Sequence, residues 1–243
     1  MEIAPGLHRV GDDVIAAYLM VDDAGVTVVD AGLPGYRREL RRELAAIGRT
    51  EHDIRAILLT HADADHVGFA EAVRADSGAR VYSSAADVER ATGRERAPKT
   101  RMPRAKLAPT LRFIWTGLTH AGRSRPIAEV TAVADGETLA VPGRPRAVAV
   151  PGHTPGSICW VSEDLDAVFV GDALTTRHVL TGHRGPQDAP FSEDESLARQ
   201  SLDRLRGLAV RHVLPGHGPV WSGGVPSLLA EIQASRRAPT GGA

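Results

Sequence analysis

The sequence predicts an α/β protein. Two observations carry that reading. Short apolar runs of strand length recur along the chain and alternate with stretches of helical period in its later part. Four of those runs end on a His or Asp set beside Gly or Pro, or opening a His/Asp-rich loop, the place where α/β proteins concentrate their chemistry.

The elements follow in order. Residues 14–21 and 26–29 are apolar and flank Asp22-Asp23-Ala24-Gly25, a hairpin signal. Residues 36–47 place Leu40, Leu44 and Ile47 at helical spacing, with Arg and Glu on the other face. Ile54-Arg55-Ala56-Ile57-Leu58-Leu59 reads as a buried strand, residues 67–75 as a helix and residues 79–82 as a strand. In the second half, strands near 146–150, 157–162, 167–171 and 211–214 alternate with helices near 194–206 and 226–235. The tail 235–243 has no core pattern and reads as frayed.

The densest chemistry is Thr60-His61-Ala62-Asp63-Ala64-Asp65-His66-Val67-Gly68, directly after a strand. Four metal-capable side chains fall within six positions, and imidazole with carboxylate suits Zn, Fe or Mn. Alone, such a run is also compatible with a solvated loop. Three other strand ends agree with it: 146–150 leads into Pro151-Gly152-His153-Thr154-Pro155-Gly156, 167–170 into Gly171-Asp172, and 212–214 into Pro215-Gly216-His217-Gly218-Pro219. The Gly and Pro fix tight turns and let backbone approach a buried centre.

In these segments, together with Val28-Val29-Asp30-Ala31-Gly32, the chain resembles the metallo-β-lactamase-fold hydrolase superfamily. The matching segments span residues 28–218, and the resemblance speaks to fold and metal binding, not to substrate. It implies a four-layer αβ/βα sandwich, a single domain over 1–236 with a basic insertion or lid near 86–128, and a frayed tail at 237–243. It further implies two divalent ions. His61, Asp63 and His153 would hold the first, Asp65, His66 and His217 the second, and Asp172 would bridge them. Asp30 would support the ligands from behind. Asp65 would also orient the nucleophile.

One position departs from the family motif. The second His of H-x-H-x-D-H is Asp63 here, giving H-x-D-x-D-H. Zn remains the family's metal, while the harder carboxylate tilts the site towards Fe or Mn. The family's di-iron redox proteins also carry an acid at this position, although they usually add a flavin domain for which this chain has no room. A single-metal site is the other consequence Asp63 could have.

Net charge is −1, yet residues 90–125 hold ten Lys or Arg against Glu95 alone, a local +9. Leu111 to Leu118, with Phe113 and Trp115, follows within that segment. A lid attracting an anionic substrate, a dimer or membrane-surface contact, a nucleic-acid patch and a plain solvated segment all remain open. Cys159 is the single cysteine, which excludes an intrachain disulfide and reads as a small buried hydrophobe. No apolar run is long enough for a transmembrane segment, and no secretory signal opens the chain, so cytoplasmic is the default expectation. His178, His183, Arg177 and Arg184 lie in residues 175–190, after Asp172, and are candidate substrate contacts. His8, His52, His120 and His212 lack motif context and read as surface or packing residues.

The expected activity is hydrolysis of a small ester, thioester or lactone by a metal-bridged hydroxide. No Gly-x-Ser-x-Gly elbow is present to support a covalent route. A di-iron redox protein, a phosphodiesterase and a non-catalytic metal-binding regulatory protein are the alternatives. The expected partner is a small molecule, nucleic acid is disfavoured, and a homodimer is expected by analogy with small family members.

Overall fold

The computed structural model describes residues 1–98, 100, 102 and 104–237. Seven strands build the first sheet: β1 (Glu2–Ala4), β2 (Leu7–Gly11), β3 (Ala16–Asp22), β4 (Gly25–Val29), β5 (Ile54–Leu58), β6 (Arg80–Ser84) and β7 (Thr131–Val133), side by side in that order. β1 to β4 are antiparallel, and β4 to β7 run parallel. The second half gives β8 (Arg146–Ala149), β9 (Ile158–Ser162), β10 (Ala167–Gly171), the pair β11 (Thr175–Arg177) and β12 (Arg184–Gln187), and β13 (His212–Pro215). The second sheet has the order β13-β10-β9-β8, with β10 and β13 parallel. The helices are α1 (Arg37–Ala46), α2 (Ala64–Val67), α3 (Ala70–Ser77), α4 (Val88–Ala91), α5 (Leu107–Thr119), α6 (Glu195–Ser201) and α7 (Gly224–Arg237).

Strand alternation produces the layers. In β3, Ala17 and Leu19 face a core shared with Leu40 and Leu44 of α1 and Val73 of α3. Ala16, Tyr18 and Met20 of the same strand face the second sheet, where they join Ile158, Trp160, Ala167 and Phe169. From β9 and β10, Cys159, Val161, Val168 and Val170 point the other way, onto Leu228, Leu229 and Ile232 of α7. The result is helix, sheet, sheet, helix, the expected four-layer sandwich. Cys159 is fully buried.

The two sheets are hydrogen-bonded where the ligand-bearing loops leave them. Ile158 N–H donates to the Thr60 carbonyl at 2.8 Å and Trp160 Nε1 to the Leu59 carbonyl at 3.1 Å. The Tyr18 hydroxyl donates to the Pro215 carbonyl at 2.7 Å, and Ala16 N–H to the Gly216 carbonyl at 2.9 Å. Four loops from two sheets are thereby held against one another.

Several elements differ from the sequence reading. The helix expected over 67–75 is two helices, and the first starts inside the His/Asp motif at Ala64. Gly68 N–H donates to the Gly32 carbonyl at 2.8 Å and Phe69 N–H to the Ala31 carbonyl at 3.1 Å, so these amides leave the helical ladder for a neighbouring loop. A Cβ at Gly68 would lie 2.4 Å from the Gly32 carbonyl oxygen, so only glycine admits this approach. Residues 175–190 contain the β11/β12 pair. The helix expected near 194–206 is α6 followed by a 3₁₀ turn, Leu202–Leu205. Residues 235–237, expected to fray, close α7, and 238–243 lie outside the described residues. The basic segment 86–128 carries α4 and α5. No helix among the described residues is long and apolar enough to cross a membrane.

Candidate metal centre

Seven donors converge where β4, β5, β10 and β13 and the turn after β8 end. Three groups have donor atoms within 4.8 Å of one another: His61, Asp63 and His153; Asp65, His66 and His217; and, between them, His61, His66 and Asp172. The first two are the triads expected from the motif. The four imidazoles are nearly inaccessible, with relative exposure from 0% at His66 to 4% at His217.

Each imidazole is aimed by an acceptor at its Nδ1. His66 Nδ1 faces Asp30 Oδ2 at 2.8 Å, and His217 Nδ1 faces the Val14 carbonyl. Neither partner can donate, so both rings carry their proton on Nδ1. The Thr60 hydroxyl gives its hydrogen to Asp30 Oδ2 at 2.8 Å and therefore accepts from His61 Nδ1 at 3.1 Å. The Ser192 hydroxyl donates to the Ala189 carbonyl at 3.3 Å and accepts from His153 Nδ1 at 3.3 Å. All four rings thus turn an Nε2 towards the common centre.

The donor spacing suits small cations. His153 Nε2 lies 3.4 Å from Asp63 Oδ2, His217 Nε2 3.4 Å from Asp65 Oδ2, and His66 Nε2 3.5 Å from Asp172 Oδ1. A tetrahedral ion with bonds of roughly 2.0–2.1 Å separates its ligands by about 3.3 Å. Asp172 Oδ2 also stands 3.1 Å from His217 Nε2 and 3.8 Å from His153 Nε2, so this carboxylate touches both groups. His61 Nε2, His66 Nε2 and Asp172 Oδ1 are buried without hydrogen-bond partners. Three orphaned donor atoms in one spot are costly unless a cation satisfies them. The residues fit a metal.

Without a metal the centre is electrostatically tense. Burial pushes His66 down, but the carboxylates of Asp30, Asp172 and Asp65 outweigh it and raise the ring to about 10. Burial likewise opposes the charged form of His217, which Asp172 and Asp65 raise to about 9. His61 goes well below its ordinary value through burial and the neighbouring His66 and His153. Burial raises Asp63 and Asp172, but the histidines overcome it and hold both well below the usual carboxylate range.

The scaffold behind the donors is specific. Asp30 sits at φ 59°, an unusual backbone for a non-glycine residue, and accepts from Thr60 N–H at 2.8 Å as well as from Thr60 Oγ1 and His66. Gly216 admits the close approach of the last loop, since a Cβ there would lie 2.5 Å from His66 Cε1 and 2.6 Å from Asp172 Oδ1.

Sequence reading missed Asp87 and Arg90. Fully buried Asp87 accepts from Ala62 N–H, the Thr154 hydroxyl and Gly156 N–H, each at 2.9 Å, and so ties the His/Asp loop to the Pro-Gly-His turn. Burial raises its carboxyl, against the Thr154 hydroxyl and the backbone donors. Neither residue lies in a ligand-like string; a buried acid in an otherwise bland turn gives no sequence signal.

A pocket of about 250 Å³ opens beside the donors, lined by Leu33, Phe113, Val179 and Phe191 together with Asp63, Asp65, Asp172, His153 and His217. Arg177, His178, His183 and Arg184 do not line it. Arg177 faces Asp13 at 3.8 Å, His178 Nδ1 accepts from Leu180 and Thr181 N–H at 3.2 Å, and His183 and Arg184 are exposed. Of the basic segment, Phe113 reaches the pocket from α5, while Leu107, Leu111, Ile114, Trp115 and Leu118 are exposed. His120 stacks on Tyr36 and His8 pairs with Glu43, both packing roles.

Comparisons with known proteins place the chain by sequence and fold. The chain is 26% identical over 233 residues to a probable metallo-hydrolase, YflN, of Bacillus subtilis (strain 168), covering 89% of this chain and 85% of that protein. It is 32% identical over 107 residues to an atrochrysone carboxyl ACP thioesterase of Aspergillus fumigatus, which covers 44% of this chain and 31% of that one. The crystal structure of a metallo-beta-lactamase family protein, TTHA1429, from Thermus thermophilus superposes with a TM-score of 0.70 at 27% identity, over 98% of this chain and 81% of that one. The profile of the metallo-beta-lactamase superfamily matches residues 10–217. The chain therefore belongs to the metallo-beta-lactamase superfamily.

Proposed function

We propose that the chain is a metal-dependent hydrolase with two divalent ions, acting on a small ester, thioester or lactone. The observation that carries the reading is the common orientation of His61, His66, His153 and His217, each with Nδ1 on an acceptor and Nε2 towards the same centre. His61, Asp63 and His153 would hold one ion, Asp65, His66 and His217 the other, and Asp172 both. Ions held there would supply Lewis acidity, lowering the pKa of a bound water and polarising a carbonyl. The Asp65 carboxylate orients the attacking water and takes its proton. Leu33, Phe113, Val179 and Phe191 receive the acyl side and keep bulk water from it. A relative named as a probable metallo-hydrolase supports hydrolysis, and another named as a thioesterase supports an acyl substrate.

The test is elemental analysis of purified protein, with ester, thioester and lactone hydrolysis followed on the same sample. About two Zn, Fe or Mn per chain, with activity lost to a chelator and restored by the ion, is the expected result. Protein that binds no ion after reconstitution and hydrolyses none of the three classes refutes the reading.

A further inference from the structure

Among the described residues, Asp63 is the one donor paired with an arginine. Arg90, only 8% exposed, directs Nη1 at Asp63 Oδ1 (3.4 Å) and Nη2 at Glu193 Oε1 (2.6 Å). Glu95 lies further off, at 4.0 Å. The other Asp63 oxygen, Oδ2, faces His153 Nε2 at 3.4 Å and His61 Nε2 at 3.8 Å. The carboxylate is therefore divided, one oxygen for the cation and one for the donor triad. Glu193 belongs to the other wall of the triad: its N–H donates to the His153 carbonyl at 3.1 Å, and its neighbour Ser192 holds His153 Nδ1. Arg90 thus spans the Asp63 loop and the His153 loop. The turn that brings it there is the one whose Asp87 fixes Ala62 N–H, next to Asp63.

We propose that Arg90 is the positioning residue of the first metal site: it holds Asp63 Oδ1 so that Oδ2 alone ligates, and its charge partly offsets that of Asp63. This rests on the two-metal reading above. A neutral imidazole at position 63 would give the triad the same net charge as the Asp63–Arg90 pair. Glu193 at 2.6 Å shares that cation, so Arg90 offsets the charge of Asp63 in part, and the carboxylate oxygen stays the harder donor. A guanidinium suits the task because it bridges two carboxylates and stays charged when buried.

The test is the binding of cobalt(II), read by absorbance and by competition with a chromophoric chelator, with no need for substrate. Arg90→Met weakens the first ion by about 10- to 100-fold, the range for partners that orient ligands, and Arg90→Lys recovers part of the loss. Asp63→His alone leaves Arg90 beside an uncharged ligand and a dication and also weakens binding. Asp63→His with Arg90→Met returns close to the parent affinity, a rescue that a merely structural role would not give. The same titrations in a His217→Ala background, which keeps the first triad whole, assign the affected ion. Additive losses in the double variant, or unchanged affinity in Arg90→Met, overturn the proposal. A parent protein that binds no cobalt(II) overturns the two-metal reading itself and the assignment with it, whereas two bound ions with additive losses overturn Arg90 alone.

Discussion

Removing the Asp87 carboxylate should cost much of the stability of the domain, although Asp87 is not among the seven donors. Asp87→Ala strips acceptors from Ala62 N–H, Gly156 N–H and the Thr154 hydroxyl. The hydroxyl has an alternative partner, Ser157 Oγ at 3.0 Å, so it is not stranded. The two backbone amides have none, and an unsatisfied buried donor costs about 1–3 kcal/mol. The loss is therefore about 2–6 kcal/mol, against a total of about 5–15 kcal/mol for a typical domain. Asp87→Asn keeps one carbonyl oxygen but turns an N–H₂ towards one of the amides, so it should cost about half as much. The assay is urea unfolding of the metal-free protein, with bound metal measured on the same preparations. Both variants should also bind metal less tightly, since the Ala62 and Gly156 amides fix the loops that carry His61 and His153. A loss below about 1 kcal/mol for Asp87→Ala, with unchanged metal content, would refute the claim that this carboxylate joins the two loops.

Three further outcomes are expected. His66 and His217 are raised to about 10 and 9 in the metal-free fold, so the stability they contribute is complete below pH about 6.5 and is lost as pH rises through 9 to 10; metal must displace those protons and binds better with rising pH. Unfolding midpoints with and without metal should therefore diverge from pH 7 to 9, and parallel curves would sink this account. Asp30→Ala should lower metal affinity about 10- to 100-fold in chelator competition, because His66 and Thr60 lose their acceptor; unchanged affinity would show that Asp30 does not orient His66. Trp115→Ser, at a side chain 67% exposed, should change stability by less than about 0.5 kcal/mol, while Phe113→Ala, nearby on the pocket side of the same helix, should raise KM for the best acyl substrate; equal effects of the two would contradict the placement of α5.

What could be read from the sequence follows from how local each signal is. The hairpin of β3 and β4, the helix carrying Leu40 and Leu44, and the strands of the second sheet are written in residue periodicity and turn chemistry, and they stand where expected. The candidate donors are legible because they follow strand ends, either clustered in one His/Asp motif or set beside Gly and Pro. β1 and β7 are three residues long, too short to carry a period, and are defined by their neighbours. The break at Gly68 depends on Gly32, 36 positions away in sequence, and the break disappears from any reading of residues 67–75 alone. Asp87 and Arg90 act on Ala62, Thr154, Gly156, Asp63 and Glu193 across the fold. Their roles exist only once β6 and the following turn are packed against the ends of β5 and β8.

The acceptors behind the four imidazoles decide which ring nitrogen faces the centre. Here the partners of His66 and His217 accept only, and those of His61 and His153 have already spent their one hydrogen on Asp30 and on the Ala189 carbonyl. Each arrangement fixes a proton on Nδ1 and leaves Nε2 as a lone pair or as a second N–H. In the metal-free chain His66 and His217 take the second N–H because Asp172 and Asp65 face them, while His61, with Nε2 buried and unpartnered, does not. Four rings thus share one orientation but not one charge. A set of cations at the centre is the simplest way to give all four the same lone-pair state, to satisfy the orphaned Nε2 atoms of His61 and His66 and the Oδ1 of Asp172 together, and to balance three converging carboxylates.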